Sequence, residues 1–224
     1  MSNFKIKGVI FDLGGVLIPG HKEEWNEYER RLDLKLDSIE ETLLKDSDLL
    51  QLSDATDRGE CIVQTFEKQL TDAYNRMHGT SLSHLPAYSD YLKDNSKNRN
   101  NLFPEMLKAV KELRSNSYKT ALLTNNFLYD KEGRLPTQPF SNDEGFFDVI
   151  VESCRVGLRK PEPGIFELVL ERLGCRPEET VFLDDYEANL EGARQLGINT
   201  IKVTDPIFAL QQLGSRIQLE LVDI

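Results

Sequence analysis

Apolar residues fall into two rhythms along this chain. Short unbroken apolar runs recur at Val9-Ile10-Phe11, Ala121-Leu122-Leu123, Val149-Ile150-Val151 and Val181-Phe182-Leu183, and Ile198 to Val203 continues the series. Such runs, bounded by turn residues, read as strands buried on both faces. They predict strands over roughly 5–12, 118–123, 147–152, 180–184 and 198–203. From 22 to 94 the rhythm changes: Trp25, Tyr28 and Leu32 recur at helical spacing, as do Ile62, Phe66 and Leu70, among many charged residues. Four short helices are predicted there, with Ser38 and Glu41 at capping-box spacing. Their apolar stripes read as the core of a bundle. The asparagine-rich 94–101 reads as a hinge, and 131–145, with its glycines and two prolines, as a loop. Pro104 opens a helix near its first turn, Pro161-Glu162-Pro163 and Gly174 bracket another, one more runs to Gly197, and Asp205-Pro206 opens the last. Strands alternating with helices predict an α/β fold, a parallel sheet covered on both faces with a helical insertion after the first strand.

Composition narrows the classes. A chain of 224 residues suits one large domain, or a core with a smaller insertion. It has no apolar run long enough to cross a membrane, and residues 1–7 lack the apolar core of a signal peptide. Residues 221–224 match no C-terminal address or lipidation signal. Cys61, Cys154 and Cys175 are scattered and odd in number, which fits free thiols in a reducing, cytoplasmic setting. A net charge of −11 speaks against a nucleic-acid partner.

Three predicted strands end in polar groups: Asp12, Thr124-Asn125 and Asp184-Asp185. Strands of a parallel sheet point the same way, so these groups share the edge where α/β sheets bind ligands. Taken alone, Asp12 ahead of Gly14-Gly15 reads equally as a turn cap and as a nucleophile or metal ligand. Lys160, just before Pro161, adds a cation. His21, His78 and His84 lie in or beside the insertion and no G-x-S-x-G elbow occurs, so acyl transfer is disfavoured. Carboxylates, a cation, a hydroxyl and an amide suit phosphoryl transfer. Magnesium would bridge Asp12, the acidic pair and a phosphate oxygen. Asp12 would attack phosphorus to give an aspartyl-phosphate. Thr124, Asn125 and Lys160 would hold the other oxygens as charge spreads. Lys160 would also pair with Asp12 and favour its ionised form.

These four segments, in this order across a helical insertion, resemble the four motifs of the haloacid dehalogenase-like (HAD) hydrolase superfamily. Asp12 matches the nucleophile ending strand one, Thr124 with Asn125 the second motif, Lys160 in Gly157-Leu158-Arg159-Lys160-Pro161 the third, and Asp184-Asp185 the fourth. The runs Glu152-Ser153-Cys154-Arg155-Val156-Gly157 and Asp184-Asp185-Tyr186-Glu187-Ala188-Asn189-Leu190 are similar to one subgroup. It contains the N-terminal phosphatase domain of soluble epoxide hydrolase and the N-terminal hydrolase-like domain of a bifunctional acyl-CoA dehydrogenase. The resemblance implies a Rossmann-like core (1–19 and 97–224) with a C1-type helical cap (20–96), as a hydrolase domain standing alone. It also implies magnesium held by Asp12, the Gly14 main-chain carbonyl and Asp185, with Asp184 acting through water or from behind the ligands. The family's second acid, two residues after the nucleophile, is Gly14 here. That acid protonates the leaving oxygen and then activates water, help worth about 10²–10⁴-fold.

The expectation is therefore a phosphatase acting on a small phosphomonoester, a lipid or sugar phosphate, slowed by Gly14, with water or a cap group supplying the proton. Two alternatives stand beside it. One is a catalytically weak or inactive module that binds phosphate or metal. The other is a haloacid dehalogenase, whose metal-free chemistry leaves Asp184-Asp185 without a purpose. Arg58-Gly59-Glu60 resembles the family's site-facing cap turn, and reads equally as a plain turn. Arg155 and Arg159 read as solvated surface arginines, Asn189 as support for its helix and Trp25 as cap core.

Overall fold

The computed structural model describes residues 5–85, 102–129, 132, 140 and 145–222. Among them five strands form one parallel sheet: β1 (Gly8–Phe11), β2 (Lys119–Thr124), β3 (Val149–Glu152), β4 (Thr180–Asp184) and β5 (Asn199–Lys202). The order is β3-β2-β1-β4-β5. All five predicted strands are present, within a few residues at their ends.

Helices α1 (His21–Arg31), α2 (Ser38–Lys45), α3 (Ser47–Asp57) and α4 (Val63–His78) follow β1. Among the described residues these match the four helices the apolar spacing predicts. Ile39, Leu49, Phe66, Leu70 and Tyr74 form a cluster of their own there, with Trp25 and Tyr28 packed against it. One local expectation fails. Ser38 is the first residue of α2 rather than its cap, and Asp37 at the cap makes no side-chain bond to the helix. The exposed amides are taken by Glu29, fully buried, which accepts from Asp37 N and Ile39 N at 2.7 Å each and from the Ser38 hydroxyl at 3.1 Å. A carboxylate from a neighbouring helix does the capping, which local spacing cannot reveal.

The chain then forms α5 (Pro104–Ser115), β2, β3, the single turn α6 (Ser153–Val156), α7 (Pro163–Leu173), β4, α8 (Glu187–Gln195), β5 and α9 (Pro206–Ile217). Successive strand residues face opposite sides. Val9, Phe11, Leu122 and Leu183 meet α5 and α9 through Met106, Val110, Leu113 and Leu210. Ile10, Leu123 and Phe182 meet α7 and α8 through Phe166, Val169, Leu190 and Ala193. The consecutive apolar residues of Val9-Ile10-Phe11, Ala121-Leu122-Leu123 and Val181-Phe182-Leu183 are thus explained, because both faces are covered.

The two chain segments flanking the insertion are joined by Phe103 N–H to Leu17 O at 2.9 Å, and the insertion is tied back to the sheet layer by Val63 N–H to Leu128 O at 3.0 Å. The turn after α3 lies against α6: at Gly59 (φ +74°) a side chain would collide with the Cys154 carbonyl oxygen. The predicted hinge at 94–101 and most of the predicted loop at 131–145 lie outside the described residues.

Candidate active site

Sheet register assembles the site. Phe11 is opposite Leu122 on one side and Leu183 on the other. The next residue, Asp12, therefore leaves the sheet level with Asp184, and its N–H donates to Leu183 O at 2.9 Å. Since β2 and β4 flank β1, the chain's excursions from β1 diverge to either side. Crevices in α/β sheets form at such a switch point.

Lys160 arrives on the loop before α7, and its ammonium lies 2.7 Å from Asp12 Oδ1 and 2.7 Å from Asp184 Oδ2. Its side chain is 1 % exposed and that of Asp184 0 %. Asp184 Oδ1 also accepts Tyr186 N–H at 2.7 Å, and the Asn189 amide donates to both Asp184 oxygens at 3.1 Å. Asn189 thus braces a site carboxylate, sharpening its expected role as helix support. Asp12 Oδ1 accepts Leu13 N–H at 2.7 Å.

Lys160 pairs with two of the three carboxylates clustered here. Asp12, Asp184 and Asp185 each have an oxygen within 4.8 Å of the others. Burial pushes the Asp12 carboxyl up to about 8, with Lys160 opposing and Asp184 and Asp185 adding to the rise. The pull of Lys160 toward the ionised form is real, but desolvation outweighs it. Burial also works against the charge on Lys160, yet its two carboxylate partners hold it above the ordinary range. An all-oxygen donor set with excess negative charge fits a hard divalent cation such as magnesium.

Gly14 and Gly15 differ sharply. A Cβ at Gly14 would meet no atom within 4 Å, so the position opens onto free space. Gly15 has φ +72°, and a Cβ there would overlap the Asp185 carboxylate. Gly14→Ala is therefore expected to change stability by less than about 0.5 kcal/mol. Gly15→Ala should lose about 1–3 kcal/mol, the cost of a side chain in a left-handed backbone. Paired thermal melts of the two variants check this contrast.

Asn125 is committed to its neighbours. Its oxygen accepts Lys160 N–H at 2.9 Å, and its amide donates to Lys160 O at 3.1 Å and Asp57 Oδ2 at 3.3 Å. The Thr124 hydroxyl donates to Asn125 O at 3.2 Å. Arg159 corrects the expectation of a solvated arginine. Its side chain is 19 % exposed and pairs with Asp54 Oδ1 and Asp57 Oδ2, both at 3.0 Å. Arg155 does lie at the surface, 2.8 Å from Glu152. Arg58 crosses from the turn after α3 to Glu162 at 2.8 Å. The insertion thus meets the site loop through Asp54, Asp57 and Arg58.

Sequence reasoning missed Asp54 and Asp57. A signal was present: two acids one helical turn apart at the C-terminal end of α3, where the helix dipole disfavours negative charge and the last turn holds no basic residue. Acids so placed call for a cation from elsewhere, and Arg159 is that cation.

Comparison with known proteins gives the family. The family model for haloacid dehalogenase-like hydrolases matches residues 6–197, and the chain belongs to that family. It is 35 % identical over 208 residues to acyl-CoA dehydrogenase family member 10 of Mus musculus, covering 92 % of this chain and 19 % of that protein. It is 31 % identical over 215 residues to bifunctional epoxide hydrolase 2 of Sus scrofa, covering 93 % and 38 %. The chain therefore spans well under half the length of either. A phosphorylated carbohydrates phosphatase of Thermotoga maritima is 33 % identical over 114 residues, 51 % of this chain and 48 % of its own. Among solved structures, a HAD family enzyme of Bacteroides thetaiotaomicron in complex with magnesium and inorganic phosphate superposes with a TM-score of 0.56. It is 27 % identical and the match covers 89 % of this chain and 96 % of that one.

Proposed function

We propose that this HAD-family hydrolase is a magnesium-dependent phosphatase of small phosphomonoesters that works through an aspartyl-phosphate on Asp12. The observation that carries the reading is Lys160, buried at 2.7 Å from both Asp12 and Asp184 on the sheet edge that also holds Asp185. Residues 1–19 and 97–224 form the core in this reading, and 20–96 the cap over the site.

Asp12, the Gly14 carbonyl and Asp185 would hold magnesium, with Asp184 behind them. When bound, the ion would offset the repulsion between these carboxylates and a phosphate dianion. The Asp12 carboxylate attacks phosphorus, while Lys160 fixes its orientation and neutralises charge. The Thr124 hydroxyl and the main-chain N–H of Asn125 meet phosphate oxygens, since the Asn125 side chain braces the Lys160 loop. The relatives with phosphatase names and the neighbour carrying magnesium and phosphate support this choice. Free Cys61, Cys154 and Cys175 support a cytoplasmic setting.

Gly14 favours a second reading, a phosphate- and metal-binding module with little or no turnover. The test is hydrolysis of an activated aryl phosphate with and without magnesium. Magnesium-dependent product release establishes the phosphatase. Ligand binding without product would establish the module, and metal-independent halide release from a haloacid would point to dehalogenation.

A further inference from the structure

We infer that Asp57, delivered by the helical insertion, is the proton donor to the leaving oxygen, in the part that position 14 leaves vacant. This rests on the phosphatase reading above. Three observations carry it.

The first is the gap. Gly14 offers no proton, and the space a side chain would fill there is open to 4 Å. The second is placement. Asp57 ends α3, and its Oδ2 is held by Arg159 Nε at 3.0 Å and by the Asn125 amide at 3.3 Å. Asn125 in turn grips both main-chain groups of Lys160, whose ammonium touches Asp12. Asp57 therefore touches the loop that carries Lys160 directly, at Arg159, and a second time through Asn125. Among the described residues both hydrogen bonds to its carboxylate fall on Oδ2, so Oδ1 can carry the proton.

The third is electrostatic. Arg159 and Lys160 face Asp57 with positive charge and Asp54 with negative charge, while nearby Arg58 is paired with Glu60 and Glu162. Burial is the largest influence and pushes the Asp57 carboxyl up to about 6, with Arg159 opposing. An acid in that range donates and recovers a proton near neutral pH.

The step balances as follows. Asp12 oxygen forms a bond to phosphorus, the bond from phosphorus to the leaving oxygen breaks, and its electron pair stays on that oxygen. The Asp57 proton goes to the leaving oxygen as the bond breaks. The resulting Asp57 carboxylate stays held by Arg159 and Asn125. In the second half it takes a proton from the water whose oxygen attacks phosphorus. The bond from phosphorus to Asp12 then breaks, giving inorganic phosphate and restoring both side chains.

The experiment compares an alkyl phosphate, which needs its leaving oxygen protonated, with an activated aryl phosphate, which scarcely does. The full chain is assayed with magnesium across pH. For the wild type, the ratio of alkyl to aryl rates should fall above about pH 6. Asp57→Asn should cut the alkyl rate about 10²-fold or more and the aryl rate far less. Adding Gly14→Asp to that variant should restore alkyl turnover. A wild-type ratio flat across pH overturns the inference without need of any variant. So does an Asp57→Asn variant whose two rates fall together, the result expected of a purely structural clamp. A wild type inert toward both substrates overturns the phosphatase reading itself, and this inference with it.

Discussion

Asp12→Asn is expected to lower magnesium-dependent turnover of an activated aryl phosphate by about 10⁴-fold or more, a barrier increase of about 5.4 kcal/mol. The amide keeps the size of the carboxylate but has no charge to attack phosphorus. The fold itself depends little on that charge. Lys160 keeps Asp184 at 2.7 Å, and an amide oxygen can still accept Leu13 N–H. The folded structure should therefore survive, and removing one of three crowded carboxylates eases their mutual repulsion. Turnover beside a thermal melt checks both halves. A folded Asp12→Asn protein retaining more than about one hundredth of wild-type turnover would remove Asp12 as nucleophile.

Lys160→Met should be the most destabilising of the substitutions considered. Methionine fills similar space but leaves Asp12 and Asp184 buried without their shared cation. Stranding charge in this way costs about 3–5 kcal/mol. In a protein of this size that lowers Tm by about 6–20 °C. Adding Asp184→Asn should recover a good part of the loss, because the second substitution removes one of the stranded charges. Denaturation of the single and double variants without metal measures the coupling. Equal stability of wild type and Lys160→Met would show that the ammonium contributes nothing to the fold.

Much of the architecture was legible in the chain. Val9-Ile10-Phe11 and its counterparts could be read as doubly covered strands because a parallel sheet leaves no polar face to write into the sequence. The helical insertion was legible because Ile62, Phe66 and Leu70 repeat at helical spacing, and Phe66 and Leu70 indeed lie in its core. Asp12, Thr124, Lys160 and Asp184 announced themselves as polar groups at the ends of apolar runs or beside a proline. The pairing of Lys160 with Asp12 was also anticipated, and the structure has it.

What the chain did not announce depends on partners distant in sequence. Ser38 and Glu41 have capping-box spacing, yet Glu29 of another helix takes the amides. Arg159 looked like a surface residue because its two acids lie over a hundred positions earlier. Local order alone thus determined the strands, the insertion and the four catalytic-type segments, since each rests on spacing within a dozen residues. Tertiary packing decided which charges meet, how deeply Asp12 and Lys160 are buried, and that Asp57 is brought beside the site loop. Those outcomes follow from desolvation and from contacts between separate elements, which no single stretch of chain contains.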